Sequence, residues 1–456
     1  MQKTVRTKKL VEFINDYKKA ILLSVTFLIS IIYVVTACIG EKYLYSDGAN
    51  YFMSIITSGH FSIYPLGRAT CDKLMQSFVI MAFRAGVDSI KVMGVLYGIG
   101  CTIWPAAWTV LAVYYCIKKK RMDLAYAVFL MDTAVLLFWG FFCQQESVIG
   151  FTNYILLLAL CCLSGKEETK KEKILTYTLL WCNSLLCYHL NEYYCTWSVI
   201  LAFILGFRCL VRKEIPIWNI LLCVWHIFCA VSSYIAISAR GQAPSIVTEI
   251  LHIIRIRFFV LSIILLITIY ACNMLPGKMT SLIQKVFIVM YIALGIYYVI
   301  TRSGRIVICG FGIRFAILGG GIVVGIAMFI ISRYRISIST VNMNLLSVGQ
   351  TVIVVMFMII SAVQYRAFNT EIVRLCEYSG QSGYIWESPL AGTDYYMEWT
   401  MPLQSIVAHG LRGEYEINGN LCAPNVDFFA FQSDINQYPD LSRYGITYNK
   451  ESFLEE

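Results

Sequence analysis

The sequence predicts an all-α polytopic membrane protein, a bundle of about eleven transmembrane helices followed by a small extracytoplasmic C-terminal domain. Hydrophobic residues make up 58% of the 456 residues and charged residues 14%, whereas soluble domains hold roughly 45–50% and about 25%. The mean hydropathy is +0.66. So few charged residues cannot cover the surface of a water-soluble protein. This composition therefore excludes a soluble enzyme and a disordered chain. The net charge of +9 is spread over loops, so no nucleic-acid-binding face is expected.

Eleven apolar runs approach the length of about 20 residues that a membrane-spanning helix needs. They are 21–40, 92–116, 124–143, 148–163, 174–188, 194–211, 216–237, 258–275, 286–301, 313–332 and 346–365. The run 148–163 is short, and Arg305 and Arg314 interrupt the region 302–332. One of these two segments is therefore a candidate re-entrant helix.

The positive charges predict the orientation of the chain. Most of the 37 Lys and Arg residues fall in the N-terminus and in alternate loops, including the cluster at 118–121, and the positive-inside rule places such segments in the cytoplasm. We therefore expect a multi-pass cell-membrane protein with a basic cytoplasmic N-terminus at 1–20 and a transmembrane domain at 21–365. An odd number of spans then places the tail, 366–456, outside.

The composition of the tail differs sharply from that of the apolar runs. It holds thirteen acidic and five basic residues, and its turn formers and aromatic residues predict a small folded domain. Cys376 and Cys422 would form a disulfide there if the space is oxidising. Most of the other cysteines lie in apolar runs as small hydrophobic residues, and without a CxxC pair no structural zinc site is expected.

The longest outer loop, 41–91, follows the first span and contains SDGANYFMSIITSGHFSIYPLGRATCDKLM. Apolar residues recur there at helical spacing, which predicts two amphipathic helices beside the membrane. Ser46 and Asp47 stand at the start of the first helix, where such residues cap the backbone. Asp47 is therefore either a simple helix cap or a functional carboxylate.

Further polar residues reach the same predicted face. Glu146 follows the third span, and His189, Asn191 and Glu192 follow the fifth. Because a carboxylate near lipid is costly unless it is paired or in water, these residues predict a shared polar cavity at the outer leaflet. The arginines available to bind a phosphate in a bidentate fork, or to contact lipid headgroups, are Arg68, Arg240, Arg255, Arg257, Arg302 and Arg305.

These groups suit glycosyl transfer from a lipid-linked sugar. A carboxylate base would activate an acceptor hydroxyl, and cations would stabilise the departing lipid phosphate. The amphipathic helices would form a floor for the reaction beside the bilayer.

At these residues the chain resembles the GT-C class of membrane glycosyltransferases, in which one span, an outer acidic motif and amphipathic helices precede a helical bundle. More narrowly, the loop quoted above resembles the first outer loop of the Gtr-type glucosyltransferases that modify bacterial O-antigens. The later motifs FWGFFCQQES and LCYHLNEYYCTW fit the family's acidic exit from the third span and its aromatic turn after the fifth. The resemblance covers roughly residues 20–365. The family's paired acids are reduced here to Asp47, and Pro65 precedes Gly67 and Arg68.

The resemblance implies a hexosyltransferase that moves a hexose, glucose in this family, from polyprenyl phosphate to a cell-surface polysaccharide. It implies Asp47 as catalytic base and Glu146 as a second acidic group, and both would hold a divalent cation, Mg²⁺ or Mn²⁺, if one takes part. The substrate-binding residues that it implies are Arg68, His189, Asn191, Glu192, Arg302 and Arg305. The implied partners are membrane lipids, a donor-loading enzyme and a flippase.

A secondary transporter or lipid flippase is an alternative, because eleven or twelve spans also suit carriers. Transporters keep their coupling residues near the bilayer midplane, and the ionisable residues deep in the apolar runs here are Asp132, His226 and Arg314. Asp132 is either a proton relay or a satisfied buried aspartate. The glycine-rich stretch 318–321 more often permits close helix packing than substrate binding.

Two further alternatives share the membrane setting. A polysaccharide polymerase or ligase would also use a lipid-linked glycan, although such enzymes usually carry one large outer loop late in the chain. A non-enzymatic assembly protein would use the tail as a binding module. Trp386, Trp399, Tyr395 and Tyr396 of the tail suit either carbohydrate stacking or core packing.

Overall fold

A computed structural model of the chain describes residues 2–45, 47–63, 66–138, 145–164, 169–212, 217–238, 257–272, 277–302, 311–333, 340–378, 401–414, 416–417 and 440–448. The side chains at several helix ends, including 2–16 and Arg302, lie outside the described part.

The described residues are almost entirely helical. The α-helices are α1 (Gln2–Ile39), α2 (Gly48–Ser58), α3 (Ala69–Arg84), α4 (Ile90–Lys118), α5 (Met122–Phe138), α6 (Gln145–Leu163), α7 (Lys170–Leu186), α8 (Tyr194–Arg212), α9 (Ile217–Ser238), α10 (Arg257–Ala271), α11 (Gly277–Arg302), α12 (Phe311–Arg333), α13 (Thr340–Tyr378) and α14 (Met401–Arg412). Short 3₁₀ helices occupy Lys42–Leu44, Leu66–Arg68 and Ser442–Tyr444. Two short strands, β1 (Glu416–Ile417) and β2 (Thr447–Tyr448), pair in parallel in the tail.

The helices confirm a polytopic α-helical membrane protein. Six are long and apolar enough to cross a membrane: Tyr17–Ile39, Ile90–Lys118, Glu146–Leu163, Ile217–Ser238, Met279–Thr301 and Asn342–Arg374. Shorter apolar helices are Tyr194–Leu210, Val260–Ala271 and Ile317–Arg333. Each of the eleven predicted segments overlaps one helix, but the number of spans, the cytoplasmic N-terminus and the three-part division of the chain stay predictions.

The structure describes all of one candidate re-entrant segment, 148–163, and only part of the other, 302–332. The run 148–163 lies within α6, a continuous helix whose apolar stretch is 89% buried, so it runs through the interior of the bundle. In the region 302–332, α12 is continuous from Phe311, and Arg305 lies outside the described residues.

Helix α4 packs against α1, α3, α5 and α6. Gly100 permits the close crossing of α3, because a Cβ at Gly100 would lie 2.0 Å from the Met75 carbonyl oxygen. Beside this crossing, Trp104 Nε1 donates to the Leu74 carbonyl at 3.2 Å. The amphipathic α3 is therefore held against α4 by backbone contact.

The glycine-rich stretch 318–321 serves packing, as predicted. A Cβ at Gly321 would lie 2.3 Å from Trp197 Nε1, and that indole N–H donates to the Leu318 carbonyl at 3.3 Å. Trp197 also stacks on Tyr154 with ring centroids 4.9 Å apart. Glycine thus lets α12 approach the aromatic residues of α6 and α8.

Arginines from neighbouring elements satisfy the ends of two helices. Arg208 of α8 donates to the Cys161 and Ser164 carbonyls at the end of α6. Arg121 donates to the Ile331 and Ser332 carbonyls of α12 at 2.7 and 3.0 Å. Since the last carbonyls of a helix lack partners within it and carry partial negative charge, these cations stabilise both termini.

The described parts of the tail pack at the same end of the bundle as the loop 41–91. Helix α14 contacts α2, α4 and α13, and Arg412 Nη2 donates to Glu41 Oε2 at 3.1 Å. The Tyr444 hydroxyl donates to the Ile56 carbonyl at 3.1 Å. The four aromatic residues singled out in the tail and Cys422 lie outside the described residues, as does the side chain of Cys376.

Candidate functional site

Arg68 is the centre of a buried ionic cluster. Its Nε and Nη2 donate to Glu192 Oε1 and Oε2 at 3.1 and 3.2 Å, and its Nη1 lies 3.6 Å from Glu146 Oε1. The side chains of Arg68 and Glu146 are 5% and 7% exposed, and that of Glu192 is 14% exposed. The structure therefore brings three of the predicted site residues together. We call Arg68, Glu146 and Glu192 the Arg68 cluster.

Local backbone features explain how these three side chains meet. Arg68 ends a 3₁₀ helix, and Gly67 before it packs against Glu192, where a Cβ would lie in ordinary van der Waals contact at 3.4 Å from Glu192 Cγ. Glu146 stands in the first turn of α6, where the helix dipole favours negative charge. The Thr70 amide donates to the His189 carbonyl at 3.0 Å, so the start of α3 is fastened to the loop that carries Glu192.

His189 and Asn191 shape that loop. His189 has a positive φ of 53°, which is uncommon for a residue with a side chain, and its Nε2 lies 2.8 Å from Ser232 Oγ of α9. The buried Asn191 accepts a hydrogen bond from the Tyr193 amide at 2.9 Å. These contacts hold the turn before α8 and thereby position Glu192.

The charges of the cluster act on one another. Burial opposes the charged form of Arg68, but Glu192 and Glu146 outweigh it and raise the pKa of the guanidinium. Burial raises the pKa of the Tyr51 hydroxyl, and the carboxylates of Asp72, Glu146 and Asp47 raise it further. Arg68 therefore stays charged and Tyr51 stays protonated beside these carboxylates.

Asp47 occupies the N-cap position of α2, but its side chain makes no capping hydrogen bond. The interpretation of Asp47 as a simple cap is therefore wrong. Close packing shapes this helix start instead, because a Cβ at Gly48 would lie 2.0 Å from the Tyr43 carbonyl oxygen. The carboxylate of Asp47 is partly exposed and lies close enough to Tyr51 to influence its hydroxyl.

Asp72 and Tyr51 are residues of this site that the sequence reasoning missed. Asp72 is fully buried in the first turn of α3, and its charge acts on Tyr51. The sequence offers only a weak signal for Asp72, an acid in the first turn of a predicted helix, where such residues ordinarily favour the helix dipole. Tyr51 carried no such signal, because aromatic residues on a buried helix face are ordinary core.

The side chains of the remaining predicted arginines lie outside the part of the chain that the structure describes. The side chain of Arg302 and all of Arg305 lie outside the described residues, as do Arg240 and Arg255. Within the described ranges, no group of three or more His, Cys, Asp or Glu residues is arranged to hold a metal ion. Asp47 and Glu146 thus form no described metal centre, and a cation bound by them stays a prediction.

Arg68 can hold the carboxylate of Glu146 in a fixed position. The partly exposed carboxylate of Asp47 acts on the same Tyr51 hydroxyl as Glu146 does. Comparison of this chain with protein-family models, curated proteins and solved structures finds no match.

Proposed function

We propose that the protein is a GT-C-type membrane glycosyltransferase, a hexosyltransferase that moves glucose from a polyprenyl-phosphate donor to a cell-surface polysaccharide. The observation that supports this proposal is the convergence of Arg68, Glu146 and Glu192, together with the partly exposed Asp47, whose carboxylate acts on the same Tyr51 hydroxyl as that of Glu146. The cluster adjoins the amphipathic helices α2 and α3, as expected for chemistry at a membrane surface.

In the proposed reaction, an acceptor hydroxyl attacks the anomeric carbon of the lipid-linked hexose. The bond from that carbon to the phosphate oxygen breaks, and the polyprenyl phosphate leaves with the electron pair. Asp47 accepts the proton of the hydroxyl, since a base must reach the proton that it removes. The partial exposure of Asp47 suits contact with an acceptor that arrives from solvent.

Arg68 is proposed to position Glu146 through their 3.6 Å ion pair. Glu192 already binds the Arg68 guanidinium through both of its carboxylate oxygens. A phosphate would therefore have to displace a carboxylate in order to bind Arg68 directly. We therefore assign contact with the donor phosphate to Arg302 and Arg305, and a bound Mg²⁺ or Mn²⁺ would add charge stabilisation to the leaving group. His189, Asn191 and Glu192 are proposed to shape the substrate side.

The proposal includes the finer architecture. About eleven spans would form the GT-C-like bundle, with the N-terminus in the cytoplasm and the tail outside as a small acidic domain. A donor-loading enzyme and a flippase would supply the lipid-linked sugar at the outer face.

The test is transfer of radiolabelled glucose from polyprenyl phosphate to polysaccharide in proteoliposomes. We expect Asp47→Asn to reduce transfer at least about 100-fold, the lower range for loss of general base catalysis, with donor binding kept. The matched control is Asp88→Asn, an exposed aspartate of the same loop, which should transfer at the native rate. Equal transfer by Asp47→Asn and the native protein would refute the role of Asp47.

A transporter is the second candidate, because Asp132 of α5 is fully buried. It faces Thr109 of α4 and forms no ion pair with the residues that the structure describes. An ionisable residue inside a membrane bundle is costly and often marks a proton or ion pathway. If no lipid-linked sugar is transferred, while Asp132→Asn abolishes passage of a labelled solute or lipid, the transporter is favoured.

A further inference from the structure

A second charged surface lies at the far end of the bundle from the Arg68 cluster. The end of α4 and the start of α7 meet there, joined by the Tyr115 hydroxyl and Thr176 Oγ1 at 3.2 Å. Helix α7, about 25 Å long, runs from this end of the bundle toward the loop that carries Glu192. The lysine patch consists of the lysines at these two helix ends: Lys118, Lys119, Lys120, Lys170, Lys171 and Lys173.

Little negative charge opposes these lysines in the part of the patch that the structure describes. Glu172 is the acid there, and its Oε2 accepts hydrogen bonds from the Thr169 amide and hydroxyl at 3.0 and 3.1 Å. The Thr169 amide lowers the pKa of Glu172 first, and Lys119 and Lys118 also lower it. The carboxylate of Glu172 is thus engaged as a helix cap. The six lysines outnumber Glu172 and the two acids of the loop before α7, Glu167 and Glu168, which lie outside the described residues, so the patch keeps a net positive charge.

The lysines border an apolar surface. One turn from the patch, the side chains of Tyr114, Ile174 and Leu175 are 48%, 59% and 48% exposed. Tyr114 lies on the candidate membrane span Ile90–Lys118, and Ile174 and Leu175 lie on the adjoining helix α7, where the sequence predicts a further span at 174–188. A lysine can extend its ammonium group to the membrane boundary while its stem covers apolar surface. The same face therefore offers contacts for a charged headgroup and for the hydrocarbon below it.

We propose that the lysine patch binds an anionic phospholipid. The headgroup phosphate lies among the ammonium groups of α4 and α7, and the acyl chains lie along Tyr114, Ile174 and Leu175. Clustered Lys and Arg residues next to membrane helices attract anionic headgroups. The adjoining exposed apolar residues favour a lipid over a soluble anion, because a soluble anion would use only the lysines. This site is independent of the proposed enzymatic activity.

The test measures lipid selectivity with the full-length protein in bilayers. Spin-labelled phosphatidylglycerol and spin-labelled phosphatidylcholine report, by electron paramagnetic resonance, how strongly each lipid associates with the protein. The patch variant is Lys118→Gln/Lys120→Gln/Lys171→Gln. The control variant is Lys73→Gln/Arg84→Gln/Lys91→Gln, which removes three exposed cations at the other end of the bundle. Size-exclusion chromatography selects folded, monodisperse protein for both.

We expect the native protein and the control variant to associate more strongly with phosphatidylglycerol than with phosphatidylcholine. In the patch variant the ratio of the two associations should fall at least about fivefold. Equal loss in both variants would show general attraction to positive charge and overturn the assigned site. Unchanged selectivity in the patch variant would also overturn it. If inorganic phosphate at moderate concentration displaces the labelled lipid, the occupant is a soluble anion and the lipid proposal fails.

Discussion

Arg68 and Glu192 are 124 positions apart in the sequence, yet Arg68 Nε and Nη2 bind both carboxylate oxygens of Glu192 at 3.1 and 3.2 Å. This bidentate pair joins the start of α3 to the loop before α8. Glu146 Oε1 approaches the third nitrogen of the same guanidinium. The candidate site therefore forms only when three distant segments are assembled, and its geometry depends on the fold of the whole bundle.

We expect Glu192→Gln to destabilise the protein by about 3 kcal/mol, because it leaves the buried Arg68 with less negative charge around it. Unfolding in mixed micelles of increasing sodium dodecyl sulfate content measures this change. The control is Glu371→Gln, which removes the exposed partner of Arg374 and should cost no more than about 1 kcal/mol. Equal losses would contradict the assignment of Arg68 and Glu192 as a structural ion pair.

Gly100→Ala is expected to destabilise the packing of α3 on α4 by about 1–3 kcal/mol. The new methyl group would lie 2.0 Å from the Met75 carbonyl oxygen, a backbone atom that moves only with its helix. Gly206→Ala in α8 is the matched control, since a Cβ there has no neighbour within 4 Å. It should be neutral or stabilising by up to about 1 kcal/mol. Comparable destabilisation of both variants, measured by thermal unfolding in detergent, would refute the close crossing.

Local signals made the helices predictable. The period of apolar residues in 41–91 predicted two amphipathic helices, and α2 and α3 are found there. The glycine-rich stretch 318–321 indicated close packing, and Gly321 lies against Trp197. Both properties depend on residues a few positions apart, which a single sequence contains.

The partners within the site were not predictable in the same way. Arg68 was expected to contact phosphate, and the sequence does not show that Glu192 occupies its guanidinium. Asp72 reads locally as an acid that favours a helix start, although it is fully buried next to the cluster. Asp47 has the residue type and the position of a helix N-cap, but its side chain makes no capping hydrogen bond. Each of these outcomes depends on packing between segments that are distant in the sequence.

The cap of α7 should weaken in acid. The pKa of Glu172 in the folded protein lies below its ordinary value of 4.5, so its contribution to stability is complete above that value and is lost as the pH falls through the folded pKa. We expect Glu172→Gln to lower the unfolding temperature at neutral pH and to match the native protein in acid, once the pH is below the folded pKa of Glu172.

Thr169→Ala distinguishes this cap from a general effect of acid. The Thr169 hydroxyl accepts a hydrogen bond from the Glu172 amide at 3.3 Å, and this bond does not require a charged carboxylate. Its loss should therefore destabilise α7 at both pH values. If the effect of Glu172→Gln persists unchanged in acid, the carboxylate does not act as the charged half of the capping box.

The tail should detach more readily when Arg412 is changed. Arg412 Nη2 donates to Glu41 Oε2 and Thr370 Oγ1, each at 3.1 Å, and thereby ties α14 to α13 and to the start of the first loop. Hydrogen bonds to charged groups contribute about 1.5–3 kcal/mol, so Arg412→Gln should raise the undocked fraction of α14 about 30-fold. Limited proteolysis under conditions where cleavage is slow relative to redocking measures that fraction.

Arg374→Gln is the control for the tail, because Arg374 is 61% exposed and pairs with Glu371 on its own helix. It should leave the cleavage rate of the tail unchanged. Glu41→Gln should reproduce most of the Arg412→Gln effect, and the double variant should add little, since both substitutions break one ion pair. Fully additive effects of the two substitutions would mean that Glu41 and Arg412 act on separate contacts. The tail would then be held by its apolar contacts with α2 and α4, and the ion pair would not control its docking.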